Sequence, residues 1–334
     1  MTVLIAFLAN VLVAIAKTVA AIITSSASMV AEAAHSWADA GNEIFLLIAD
    51  RQGARKKDER HPLGYGRSAF VWSLIAAFGI FTAGAIVSIM HGIQELGSDE
   101  PVESPVIAYI VLGIAFVLEG ASFTQAVIRS RRLARERGSS TWDFVIETSD
   151  TTLRAVFFED AAALIGLVIA GGSIAIHEAT GEAIWDAVGS ILVGILLAVV
   201  AVLLIGRNLA FIVGTSASPE LRSRVGRALL EDPAIERVTY LHIEYVGPNR
   251  LFIVAEIDLS GDEREHDVAR RLREVERQIE AHEVVETAVL SLSVDDEPSL
   301  DFGRDAEALD YSATLRAGAA TDLVDPGVVD GAQR

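Results

Sequence analysis

Apolar residues dominate six stretches of the first 206 residues, at about 2–24, 28–51, 69–96, 104–129, 150–176 and 182–206. Each is long enough to cross a hydrocarbon core of roughly 30 Å at 1.5 Å per residue. The pattern predicts a membrane all-α bundle of six transmembrane helices. The first stretch resembles a signal peptide in its position but lacks a basic start and a cleavage site, so it reads as a helix of the bundle. After Arg207 the periodicity changes. A helix near 219–231 leads to strands near 236–246 and 250–259, joined by a Gly247-Pro248-Asn249 turn. In the second strand Leu251, Ile253, Ala255, Ile257 and Leu259 alternate with Phe252, Val254, Glu256 and Asp258, the period of a strand with two unequal faces. A charged helix near 263–281 and a strand near 284–294 complete the order α-β-β-α-β, which predicts a small ferredoxin-like α/β domain. From about Asp295 the chain is acidic, rich in Gly and Ala and aperiodic, as a disordered tail would be. The expected boundaries are 1–208 for the membrane domain, 209–296 for the α/β domain and 297–334 for the tail.

Charge gives the bundle an orientation. The 51–67 linker carries Arg51, Arg55, Lys56, Lys57, Arg60 and Arg67, and the 129–140 linker carries Arg129, Arg131, Arg132, Arg135 and Arg137. The three opposite linkers, near 25–27, 97–103 and 177–181, hold no Lys or Arg. Basic residues collect on the cytoplasmic side, so both termini and the α/β domain are expected in the cytoplasm. With no transit peptide before the first span, a prokaryotic plasma membrane is the simplest expectation. The net charge is −19, and the 128 residues from Arg207 onward hold 26 acidic against 14 basic residues. That balance argues against nucleic acid as a partner and for a solvated acidic surface. Cysteine is absent, which removes disulfides, thiolate metal sites and thiol chemistry.

Ionisable side chains inside membrane spans are costly, so each one asks for a reason. Span two holds Glu32, His35, Asp39, Asn42 and Glu43, at spacings of three and four that share one helical face. His35 and Asp39 stand one turn apart and point the same way, as two ligands of one ion must. An imidazole and a carboxylate suit zinc, which takes four ligands in a tetrahedron. A second helix has to complete the shell, and Glu159 and Asp160 of span five lie at the matching depth. Interhelical hydrogen bonds that simply hold the bundle together are the plainer alternative. Glu32, Glu43 and Glu119 are candidates for proton coupling or for structural polar contacts. Lys17 and Arg154 are expected to neutralise Glu32 or Glu119. His91 and His177 fall near span ends, where histidine is ordinary, and His242, His266 and His282 are expected on the surface of the α/β domain. No nucleophile–base pair or phosphate loop points to an enzyme.

The string Ser28-Met-Val-Ala-Glu-Ala-Ala-His-Ser-Trp-Ala-Asp39, the stretch His61-Pro-Leu-Gly-Tyr-Gly-Arg67 and the Phe158-Glu-Asp160 segment together resemble the cation diffusion facilitator family. The match runs from about residue 1 to 296 in order and topology and is most similar to the branch containing the mitochondrial zinc transporter. The resemblance implies a homodimer in which each protomer exchanges one divalent ion for protons. It also implies two ligands from span two and two from span five, with His35, Asp39 and Asp160 on matching positions. The family's fourth position, four residues before the last ligand, is Val156 here. Glu159, Asn42 or a water is then left to complete the shell. A loop metal site is also common in the family. Here Asp58 and His61 are present but Tyr65 stands where a second histidine is usual, so that site is expected to be weak or absent. In the α/β domain only His266 falls on a family metal position.

The sequence therefore leads to a divalent cation efflux transporter, zinc first, working by proton-coupled alternating access with no cofactor. Zinc would enter from the cytoplasm, bind His35, Asp39, Asp160 and Glu159, and leave outward after the bundle reorients. An imidazole that can trade metal for a proton near neutral pH would ease release. Manganese or iron(II), which accept oxygen-rich shells, are the rival ions. The rival class is a non-transporting membrane scaffold with a degenerate metal site.

Overall fold

The computed structural model describes residues 2–97, 104–261, 263–294 and 296–303. The chain opens with α1 (Thr2–Thr24) and α2 (Ala27–Gly53). Next comes one long rod, made of α3 (Gly66–Gly79), a π-helical segment (Ile80–Ile86) and α4 (Val87–Glu95). Then follow α5 (Pro105–Arg137), the short α6 (Thr141–Glu147), α7 (Thr151–Thr180) and α8 (Ile184–Val213). By length and composition, three of these segments can cross a membrane: Gly66–Glu95, Pro105–Glu136 and Ile184–Val213. In α1 the apolar stretch is the shorter Asn10–Thr24. The expected six spans thus divide, and in α2 the ionisable residues Glu32, Asp39, Glu43, Asp50 and Arg51 dilute the apolar character along the whole helix. Outward faces are nonetheless apolar. Ile22 (75% exposed), Val117 (69%) and Val202 (62%) project from three different helices, a surface suited to lipid.

Local sequence explains where the helices start and stop. Ser26 caps α2, its side chain accepting from the Met29 N–H at 3.2 Å, and Asp150 caps α7 by accepting from Leu153 N–H at 3.0 Å. Gly138 and Gly181 adopt φ of 72° and 73° just past α5 and α7, a backbone that glycine tolerates best. The body of α2 is rich in alanine, the best helix former, and Ala27, Ala31, Ala33, Ala38 and Ala40 are buried against neighbouring helices. Two apolar clusters flank α7. One gathers Phe157 and Phe158 with Val193, Leu197 and Leu204 of α8. The other gathers Leu167, Ala170 and Ile174 with Met29 of α2 and Leu112 of α5. The π-helical segment and α4 pack closely on α8, since a Cβ on Gly92 of α4 would meet the Ala187 carbonyl at 2.8 Å and one on Gly194 the Ala85 carbonyl of the π-helical segment at 3.0 Å.

Beyond α8 the chain forms α9 (Pro219–Leu230), β1 (Ile235–Gly247), β2 (Arg250–Leu259), α10 (Glu265–Glu280) and β3 (Val285–Leu292), with sheet order β1-β2-β3. A complete ferredoxin-like unit opens with one strand more. A single antiparallel bridge between Ser216 and Glu244 lies along β1 instead. The alternation in β2 is realised residue by residue: Leu251, Ile253, Ala255, Ile257 and Leu259 are buried. The start of the expected tail is also placed. Leu300 N–H donates to the Val238 carbonyl at 2.7 Å and Phe302 is buried. Residues 304–334 of that tail lie outside the described residues. Contacts divide the described chain into two compact units, one of residues up to Ser216 with Glu244–Phe252 and Ile279–Thr287, the other of Ala217–Ile243 and Ile253–Gln278 with the described residues from Ala288 on.

Candidate metal centre

The polar face of α2 points into the helical unit. Glu32 and His35 are fully buried and Asn42 nearly so, while the side chain of Asp39 is 17% exposed. His35 Nδ1 stands 3.4 Å from Asp39 Oδ1, in a geometry that makes no hydrogen bond. Neither ring nitrogen of His35 has a hydrogen-bond partner, nor has Asp39 Oδ1, Asn42 Oδ1 or Glu43 Oε2. Unpaired buried polar atoms are uncommon and cost about 1–3 kcal/mol each. Three of the five are oxygens, and whichever His35 nitrogen carries no proton adds an imidazole lone pair on the same two turns of helix, the chemistry a divalent cation requires.

Across from α2 lies α7. Asn42 Nδ2 donates to Glu159 Oε1 through a short hydrogen bond between the two helices. The next residue, Asp160, turns the other way and accepts from Ser122 Oγ of α5 at 2.7 Å. Successive residues of a helix differ by about 100°, and here that rotation sends the two carboxylates to different neighbours. Glu159 is the one that meets α2. Val156 is half-buried and packs against the apolar cluster around Phe157. Among the described residues no three His, Asp or Glu side chains converge closely enough to hold an ion as they stand. His35 and Asp39 are brought together, Glu159 approaches them through Asn42, and Asp160 of α7 is bound to Ser122 of α5.

The supporting charges are arranged in part as expected. Lys17 Nζ of α1 donates to Glu32 Oε2 at 2.9 Å, and Glu119 Oε1 of α5 lies 4.0 Å from the same ammonium. Glu43 accepts from Asn10 Nδ2 at 2.7 Å. Arg154 is a correction. Instead of meeting Glu32 or Glu119 it donates to the Thr148 carbonyl and to Asn208 Oδ1, both at 2.6 Å, so it fastens the α6–α7 corner to α8. His177 is a second correction. It is buried rather than interfacial, and its Nδ1 has no partner.

In the 54–65 loop, Asp58 is consumed by turn chemistry. It accepts from the Tyr65 hydroxyl at 2.7 Å and from the backbone N–H groups of Arg60 and His61 at 3.0 and 2.8 Å. The Tyr65 hydroxyl holds the Asp58 carboxyl below its ordinary value, with the His61 N–H as the next cause. His61 packs against Tyr65 with ring centroids 4.0 Å apart and planes tilted by 32°, and its Nδ1 lies 3.5 Å from Asp58 Oδ1. The tyrosine in place of a second histidine thus completes a hydrogen-bonded turn. His266 is exposed, with a ring nitrogen 2.8 Å from Arg270 Nη2.

Sequence reasoning missed Asp186, in the first turn of α8. Its carboxylate accepts from Ser26 Oγ at 2.9 Å and from the N–H groups of Ala27 and Ser28 at 2.5 and 3.3 Å. One buried anion thus sits at the start of α2, where the helix dipole favours negative charge. The signal available was a lone acidic residue in the first turn of an otherwise apolar span.

The description of the cation efflux transmembrane domain matches residues 3–213. The mitochondrial proton-coupled zinc antiporter SLC30A9 of Xenopus laevis is 36% identical over 245 residues, covering 73% of this chain and 44% of that protein. Its Homo sapiens counterpart is 35% identical over 245 residues, covering 73% and 43%. Metal tolerance protein C4 of Arabidopsis thaliana is 37% identical over 238 residues, covering 71% and 52%. The chain spans about half the length of these curated relatives.

Proposed function

The chain belongs to the cation efflux family, the cation diffusion facilitators, which are membrane transporters and not enzymes, and on that premise we propose that it exports zinc in exchange for protons. The observation that carries this reading is the set of unpaired donors on α2, at His35, Asp39, Asn42 and Glu43. Glu159 faces them from α7 through Asn42. Zinc is the cargo, and no resident cofactor is needed. His35 and Asp39 supply the first two ligands. Glu159 supplies the third once Asn42 lets it go, and Asp160 or a water closes the shell after the Ser122 bond is exchanged. Relatives named as zinc antiporters favour zinc over manganese or iron(II). All six long helical segments span the membrane in this reading, as domain 1–208, with a ferredoxin-like domain over 209–296 and a tail over 297–334 on the cytoplasmic side. The working unit is a homodimer. The eleven basic residues in two linkers set both termini inside, in a prokaryotic plasma membrane, although two of the relatives are named as mitochondrial.

The test is zinc flux in proteoliposomes under an imposed pH gradient, beside Asp39→Ala and Asp160→Ala, with manganese and iron(II) as competitors. Zinc flux that follows the pH gradient and is lost in Asp39→Ala is the expected result. Absence of flux for every metal, from protein shown to be folded, would leave the scaffold reading standing. Light scattering in detergent checks the dimer.

A further inference from the structure

Two polar ties join α2 to α7. Near the start of α2, Ser28 Oγ and Ser173 Oγ are 2.7 Å apart. Toward its other end, Asn42 binds Glu159. Ser28 to Asn42 and Ser173 to Glu159 are each fourteen residues, about 21 Å of helix, so the helices run antiparallel and the ties bracket the same length of interface. His35 lies midway on α2. Gly166 lies midway on α7, where a Cβ would come within 2.5 Å of Glu32 Oε1. An ion held at His35 and Asp39 therefore has one tie toward each end of the interface.

The tie at the start of α2 is the more elaborate. Ser28 Oγ also donates to the Asp186 backbone carbonyl at 2.9 Å, and Ser173 Oγ lies 2.9 Å from the Ala170 carbonyl. The Asp186 carboxylate holds Ser26 Oγ and two N–H groups of α2. Ser26, Ser28, Ser173 and Asp186 are all buried. Packing there is closed, since a Cβ on Gly189 would meet Ser28 Oγ and Ser173 Cβ at 2.5 Å. Nothing in the ion site uses these four residues. Unlike the buried Lys17–Glu32 pair, the link to α7 is between neutral hydroxyls, which exchange partners at little net cost.

We propose that Ser28, Ser173 and Asp186 form a clasp that closes the pathway at the N-terminal end of α2, and that this clasp opens for each ion released on the side away from the cytoplasm. The proposal rests on the transport reading and on the orientation set by the basic linkers. Asp186 is a positioning residue: it fixes the start of α2 on α8 so that Ser28 meets Ser173.

The chain has no cysteine, so a Ser28→Cys/Ser173→Cys variant carries only the two thiols of interest. In proteoliposomes, oxidation with diamide is expected to lower zinc flux at least tenfold, and reduction to restore it, with either single variant unaffected. Flux in the oxidised vesicles within twofold of the reduced ones, with the disulfide shown complete by mass spectrometry, overturns the clasp. A second readout does not need flux. Labelling of Ser28→Cys by a membrane-impermeant maleimide is expected to speed up at least threefold when Asp186→Asn is added, and an unchanged rate overturns the clasp. Faster labelling without zinc flux in either redox state would uphold the clasp and overturn the transport reading instead.

Discussion

The two halves of α2 carry polar side chains on the same face and use them in opposite ways. In the first half, Ser26 and Ser28 are bound by Asp186 and Ser173, and Glu32 is paired with Lys17 through Oε2, with its Oε1 left without a partner. In the second half, His35, Asp39, Asn42 and Glu43 together keep five buried atoms without partners. Composition does not separate the halves, for both are polar runs in an alanine-rich helix. Partner counting does. A satisfied buried group holds helices together, whereas an unsatisfied one is a standing cost that a ligand can recover.

The contrast is most exposed at Lys17. Removing one partner of a buried pair strands the other charge, so Lys17→Met is expected to cost about 3–5 kcal/mol, and Lys17→Met/Glu32→Met far less. Thermal unfolding in detergent checks this, and equal losses in both variants would break the claim that the first half is structural. In the second half the expectation reverses. His35→Ala should lower zinc flux by more than the roughly 10–100-fold typical of residues that only support a metal site. Its melting temperature should be no lower than that of the unaltered chain, because two unpaired buried nitrogens are removed. A large loss of stability would make His35 a packing residue. Ser26→Ala removes the cap of α2 and should cost about 1 kcal/mol, read in the same melts. The smallest effect is expected outside both halves. Asp58 has its carboxyl depressed, so the order it lends the loop is present above the ordinary carboxylate range and is lost as pH falls through its lowered value. Tyr65→Phe should move its titration, followed by carboxyl NMR, back toward that range and leave zinc flux unchanged.

Much of this arrangement is legible in the sequence, and its failures share a physical cause. The period of two in β2 and the three-and-four spacing on α2 are strong because each residue reports on the same face. The directions of Glu159 and Asp160 are not legible, since adjacent residues can be assigned to a neighbour only when the rotation of α7 is known. Charge alone pairs Arg154 with the carboxylates of Glu32 or Glu119, yet its donors are taken by a carbonyl and an amide, which leave no charge signal in a sequence. The α6 helix, seven residues between the 129–140 linker and the fifth span, is too short to show a period. Asp186 was passed over for a related reason: its partners are mostly backbone N–H groups, which every residue has.

The π-helical segment Ile80–Ile86 has a consequence for chain length. A π turn amounts to one residue inserted into an α-helix, so α3 and α4 are one rod in two phases, offset by roughly 100°. Side chains in this rod are aimed by the number of residues before them as much as by their identity. Deleting any one residue of the segment would leave its composition nearly intact and swing Gly92 away from the Ala187 carbonyl it now abuts. Length here is a specification, and point substitution alone would never reveal it.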